Sequence, residues 1–170
     1  MHTSLLRRAC LVVFSVTLLA CGWHPRGSGE FALPMRELRL ESAQPGDALS
    51  TRVARLLEVS GVDVRAGAGR SASLHLGREQ HTTRKVALDR SARSAEQEMR
   101  VTVEFEVRNA DGETVLGPRT VTASRIYAFD PNSIIAQQGE EQLIHQELQD
   151  NVAGQILRQL RHAPLADAAP

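Results

Sequence analysis

Cys21 ends the apolar run Ala9–Ala20 and is followed at once by Gly22, Trp23, His24 and Pro25. The chain has two cysteines, and the other, Cys10, lies inside that run. Once the run is removed, Cys21 is a lone thiol, and a lone thiol in an oxidising compartment stays reactive unless it is capped. Covalent capping is therefore the first chemistry the sequence proposes. The second is basic: Arg84, Lys85, Arg90 and Arg93 fall in one stretch with apolar Val86 and Leu88 between them. Guanidinium groups grip phosphate bidentately while aliphatic neighbours cover acyl carbon, which suits an anionic amphiphile. A solvated basic loop is the plainer reading of the same spacing.

Other chemistries find no support. Past Cys21 the histidines are His24, His75, His81, His145 and His162, none at metal-ligand spacing with another and with no cysteine to help. There is no Gly-x-Ser-x-Gly elbow for a nucleophilic serine. The glycines near Gly67–Ser73 lack the Gly-Lys-Ser ending of a phosphate loop. Glu104 and Glu106 share one strand face, but an acid/base pair also needs a cleft. No enzyme is expected, and no metal or dissociable cofactor.

The elements that position these residues begin with a leader. Arg7 and Arg8 precede a short apolar core without acidic residues, which is the form of a secretory signal peptide and too short to span a bilayer. Its end, Leu18-Leu19-Ala20-Cys21, resembles the bacterial lipobox, in which the cysteine takes diacylglycerol on sulfur and, after cleavage, an acyl group such as palmitate on its new amine. Gly22 follows, not the Asp that favours inner-membrane retention, so sorting to the cell outer membrane is expected. Residues 1–20 are then the signal peptide, and 21–34, with its Gly and Pro, a linker from the lipid anchor. Removing Arg7 and Arg8 leaves 18 basic against 20 acidic side chains, which argues against a nucleic-acid binder.

Met35–Ser42 alternates as a first strand, and Asp47 caps a helix with Leu49, Val53, Leu56 and Leu57 on one stripe, ending at Gly61. Val62–Val64 reads as a brief edge strand, and Ser73–Asp89 as a second clear one, with Leu74 and Leu76 pointing one way and Arg84, Lys85 and Arg90 at its far end. Met99, Val101, Val103, Phe105 and Val107 alternate with Arg100, Thr102, Glu104, Glu106 and Arg108 before an Asn109–Gly112 turn, the pattern of a hairpin. Pro118 marks an edge or a bulge in its return strand. From Ser133 to Arg161, Ile144, Leu148, Val152, Ile156 and Leu160 recur every four residues, helped by Ile135, Leu143 and Leu157, as on a long amphipathic helix. The expected fold is α+β: a two-layer sandwich of a mixed or antiparallel four-stranded sheet with two helices on one face, over residues 35–162, with 163–170 a disordered tail.

The residues Cys21-Gly22-Trp23-His24-Pro25-Arg26-Gly27 resemble the mature start of the LptE (RlpB) family, the lipopolysaccharide-assembly lipoproteins of Gram-negative outer membranes, with Pro25 in place of the usual Leu. The resemblance continues through Leu49–Val64, Ser73–Gly77, Ala95–Gly112 and Arg125–Leu148. It implies a non-enzymatic partner of the LptD barrel that sits inside the barrel as a plug at the periplasmic side of the outer membrane. It also implies lipopolysaccharide binding and transport, with Arg90 at a basic position tied to lipid contact and Arg84, Lys85 and Arg93 beside it. A second basic position of the family corresponds to Gln138, so the Arg84–Arg93 stretch is the main lipid candidate. The alternative is an auxiliary lipoprotein of a lipid-transport ABC system, which a hydrophobic groove sized for an acyl chain would favour.

Overall fold

The computed structural model describes residues 33, 35–65, 71–88, 94–130 and 133–163. In chain order the elements are β1 (Glu37–Ser42), α1 (Ala48–Val59), β2 (Asp63–Arg65), β3 (Ser73–Leu76), β4 (Gln80–Leu88), β5 (Ser94–Arg108), β6 (Thr114–Ala128) and α2 (Ile134–Leu160). Cys21, Arg90, Arg93, the linker to Phe31 and residues 164–170 lie outside the described residues.

The sheet is mixed and has six strands, not the four expected from the sequence. β1 pairs in parallel with β2 on one side and β3 on the other, while β5 runs antiparallel to β3, β4 and β6. Two features account for the difference. Asp63–Arg65 makes a three-residue strand against Glu37–Arg39, and the stretch read as one strand divides at Gly77. β3 takes the Phe105–Arg108 part of one edge of β5, and β4 takes the Ser94–Thr102 part. Where one strand hands over to the other, the Gly77 amide donates to the Glu104 carbonyl at 2.8 Å. A Cβ on residue 77 would stand 2.9 Å from that same carbonyl oxygen, so the backbones approach too closely for any other residue. Gly77→Ala is expected to destabilise the domain by about 1–3 kcal/mol, as overpacking usually does; a urea midpoint equal to that of the unaltered chain would contradict this.

α1 forms where its caps place it. The Asp47 side chain accepts from the Ser50 amide at 2.7 Å, and Gly61, at φ 84°, takes the left-handed turn beyond the Ser60 C-cap. Its stripe Leu49, Val53 and Leu57 is buried, with Leu56 at the margin. On β5 the odd-numbered positions from Met99 to Val107 are all 2% exposed or less, so this face of the sheet is the core face. Register carries it across to Leu74, Leu76, Val121 and Ala123. α2 closes the core with Ile144, Leu148, Val152, Ile156 and Leu160, all buried as the four-residue period requires. Leu143, expected to help that stripe, is 68% exposed, because the period turns it away from the sheet. Ile135 also belonged to that stripe; its side chain is outside the described set.

Asp130-Pro131-Asn132-Ser133, by residue type a strand break and helix cap, leads into α2. Ser133 stands at the N-cap, but its side chain makes no capping bond. Gln137 does the lacing instead: its amide nitrogen donates to the Ala128 carbonyl at 3.2 Å and its oxygen accepts from the Asp130 amide at 3.0 Å. At the far end Ala163 is buried, one residue past the expected domain end. The β6 irregularity falls at Gly117-Pro118, opposite a register shift in β5 between Phe105 and Val107. The second face of the sheet carries no helix among the described residues, and it is there that the polar residues of β5 lie.

Candidate functional site

Arg84 and Lys85 are consecutive on β4, so they leave the sheet on opposite sides. Arg84 is in register with Glu98 and Lys85 with Gln97, which puts Arg84 on the helix-free face and Lys85 on the face toward α2. On the helix-free face, Arg84 Nε donates to one oxygen of Glu98, and Arg100 Nη2 to the other at 3.0 Å. The Glu98 side chain is 9% exposed, against 67% for Arg84 and 45% for Arg100. Together with Thr82 these three residues line a hollow of about 370 Å³. Two guanidiniums over one carboxylate leave an excess of one positive charge. Each guanidinium has five N–H donors and spends few of them on Glu98. The arrangement can offer an oxyanion bidentate contacts.

The hydrogen bond from Arg100, then that from Arg84, hold the Glu98 carboxyl down to about 2, against an ordinary value of 4.5. A lowered folded value means the folded chain binds fewer protons than the unfolded chain. The stabilisation is thus complete above about pH 4.5 and is lost as the pH falls toward 2. Thermal midpoints followed through that window should fall more steeply for the unaltered chain than for Glu98→Gln; parallel curves would show that the pair contributes nothing.

Nearer β1 the helix-free face is a lattice of matched charges. One row across the strands reads Arg39, Ser73, Arg108, and the next reads Glu41, His75, Glu106. Along the strands Arg39 bonds Glu41 at 2.8 Å and Arg108 bonds Glu106 at 2.9 Å. Ser73 Oγ lies 3.0 Å from His75 Nε2, and His75 Nδ1 3.1 Å from Glu41. Ser73 and His75 share one face of β3 by the two-residue period, but Glu41 joins them only through the β1–β3 register, which hides this serine–histidine–glutamate line from motif reading. It has the order of a nucleophile relay, yet Ser73 is 1% exposed and does not line the neighbouring hollow formed by Glu41, His75, Glu104 and Glu106. A substrate has no approach to the hydroxyl, so the line reads as part of the lattice.

A further hollow, about 500 Å³, is an open groove between β1 and α1. Leu40, Pro45, Ala54 and Val64 are interrupted along it by Ser42, Ser50, Thr51 and Arg65. Its lining is more apolar than polar, open along its length to solvent. Among the described residues no group of histidine, cysteine and acidic side chains has the placement of a metal site, and no helix is long and apolar enough to cross a membrane.

Comparison with known proteins gives this surface its context. The family model LptE, described as lipopolysaccharide-assembly, matches residues 35–160, a stretch that contains every strand and both helices. The chain belongs to the LptE family. The LPS-assembly lipoprotein LptE of Pectobacterium atrosepticum is 28% identical over 142 residues, covering 82% of this chain and 76% of the relative. Among solved structures, rare lipoprotein B from Shewanella oneidensis superposes with a TM-score of 0.66 at 25% identity, over 73% of this chain and 92% of the other. A minor lipoprotein from Acinetobacter baumannii gives 0.63 at 25% identity, over 79% and 97%. The LptE match thus rests on the whole sandwich. Of the residues the sequence offered for lipid contact, Arg84 and Lys85 fall within the described part of this LptE domain, on different faces. Gln138 is exposed on the first turns of α2. Arg100 and Glu98, which sequence reasoning did not offer, are the residues that Arg84 joins.

Proposed function

We propose that the chain is an outer-membrane lipoprotein, acylated on Cys21, that seats as a plug and assembly partner in the LptD barrel and binds lipopolysaccharide on its way to the outer leaflet. The observation that carries this reading is the helix-free sheet face. It is polar across β1, β3, β4 and β5, and its charges are largely matched in pairs. Such a face suits a wet, polar barrel lumen, where an apolar face would not dissolve and an unmatched one would repel. At the β4 end the positive excess of Arg84 and Arg100 over Glu98 stands on the stretch that runs on to Arg90 and Arg93. Cations placed there compete for lipid A phosphates with the divalent ions that bridge them. Positioning and charge are all the work requires, and no bond is made or broken.

Co-purification tests the reading. The mature chain extracted from outer membrane in mild detergent is expected to bring a barrel-sized companion and lipopolysaccharide with it. Recovery without any barrel would overturn the plug assignment. Recovery with the barrel, but with lipopolysaccharide retention unchanged by Arg90→Asp, would remove the basic stretch from the lipid step.

A further inference from the structure

β6 lies on the margin of the sheet: β5 takes one of its edges, and no described strand takes the other. The phase of its backbone follows from three contacts. Gln155 of α2 donates to the Thr122 carbonyl at 3.0 Å and Gln137 to the Ala128 carbonyl at 3.2 Å, so the carbonyls of even-numbered residues point away from β5. Thr102 Oγ1 and Thr122 Oγ1 stand 3.1 Å apart, the close approach of two opposed residues whose backbones do not bond each other. Pairing with β5 runs without a shift from Arg119 to Ala128. Thr120, Thr122, Ser124, Ile126 and Ala128 therefore all turn their amides and carbonyls to the free edge. All five are exposed, Ile126 at 58%.

Open edges are ordinarily blunted by brevity, by bulges, by proline or by charged side chains. The other outer strands of this sheet carry such devices. β2 has three residues, two of them charged, and β4 carries Arg84 and Lys85 next to a register shift. β6 has Pro118 near its start and no proline, lysine or register shift between Thr120 and Ala128. Arg125, the one charge in that run, lies on the α2 side and bonds Glu147. What such an edge accepts is another extended, uncharged strand. The run supplies one itself. Turned about a two-fold axis at Ser124, it opposes Ser124 to Ser124, Thr122 to Ile126 and Thr120 to Ala128 of the second copy, so every outward amide meets a carbonyl. The carbonyls of Thr122 and Ala128, each already holding a glutamine, have a second lone pair to give. Arg125 then falls opposite Ala123, and no charge faces a like charge.

We propose that the free edge of β6 is a self-pairing surface, where two copies of the chain join antiparallel through residues 120–128. A plug seated in a lumen has no second copy beside it, so pairing belongs to the chain before it meets its barrel and keeps the edge from less specific partners. That timing rests on the plug reading; the pairing itself does not.

The full mature chain carrying Cys21→Ala, free of lipid and of barrel, tests the pairing by sedimentation over a concentration series up to the millimolar range. Its mass is expected to double with rising concentration. Thr122→Pro removes an amide that β5 does not use and should abolish the doubling; Ile126→Lys, at an exposed site, serves if that variant does not fold. With Ser124→Cys as the sole thiol, mild oxidation should link two copies, because opposed residues of a bonded pair lie about 5.5 Å apart between Cα atoms, within disulfide reach. Thr120→Cys should stay unlinked. A single monomeric mass throughout, doubling undiminished in a folded variant, or linkage at residue 124 no stronger than at residue 120 would overturn the proposal.

Discussion

Phe105→Ala is expected to remove about 3–5 kcal/mol of folding stability, the usual cost of emptying a large aromatic site in a core. Phe105 is 2% exposed, the largest of the fully buried side chains, and it stands where β3, β5 and β6 meet, in register with Leu76 and Arg119. Strands bonded on both edges of β5 cannot slide inward to fill the hole, so collapse around it will be slight. Domains of this size hold about 5–15 kcal/mol in all, and the variant should be largely unfolded at modest urea. Urea unfolding followed by far-ultraviolet dichroism measures the effect. A loss of less than about 1 kcal/mol would mean that the core repacks and that Phe105 is not its centre.

Removing the lipid proposed on Cys21 should have the second large effect. Exported behind an ordinary secretory leader with Cys21→Ala, the chain is expected to move from the membrane pellet to the soluble periplasmic fraction. Each buried methylene contributes about 0.8 kcal/mol to membrane attachment, so three acyl chains hold almost permanently and none leaves only protein contacts. Fractionation with intact mass determination reads both outcomes. If the unacylated chain still pelleted with outer membrane in cells lacking the barrel, the anchor assigned to residue 21 would be wrong.

The parts of this architecture that depend on near neighbours were legible in the sequence. The alternation from Met99 to Val107, the Asn109–Gly112 turn, the Asp47 cap and the four-residue period of α2 each declare themselves within a short window, and each stands in the structure. What was hidden depends on register between distant strands. Gly77 divides a strand because of the Glu104 carbonyl it approaches, whereas the brief edge strand read at Val62–Val64 stands as β2. Glu98 belongs by alternation to the solvated face, and Arg84, placed beside it across the β4–β5 pair, covers it together with Arg100. The same holds for His81 and His145, which are far apart in sequence and meet only through the packing of α2. Cations on one stretch looked like one cluster in the sequence; the two-residue period of a strand sends Arg84 and Lys85 to opposite sides.

β5 alone among the described strands bonds to three others. A chain delivered across a membrane N-terminus first exposes β1 through β4 before any of β5 has emerged. During that interval Leu74 and Leu76 have no antiparallel strand beside them, and the edge they present is sticky. The domain should therefore close in one cooperative step only once the hairpin to Ala128 is complete.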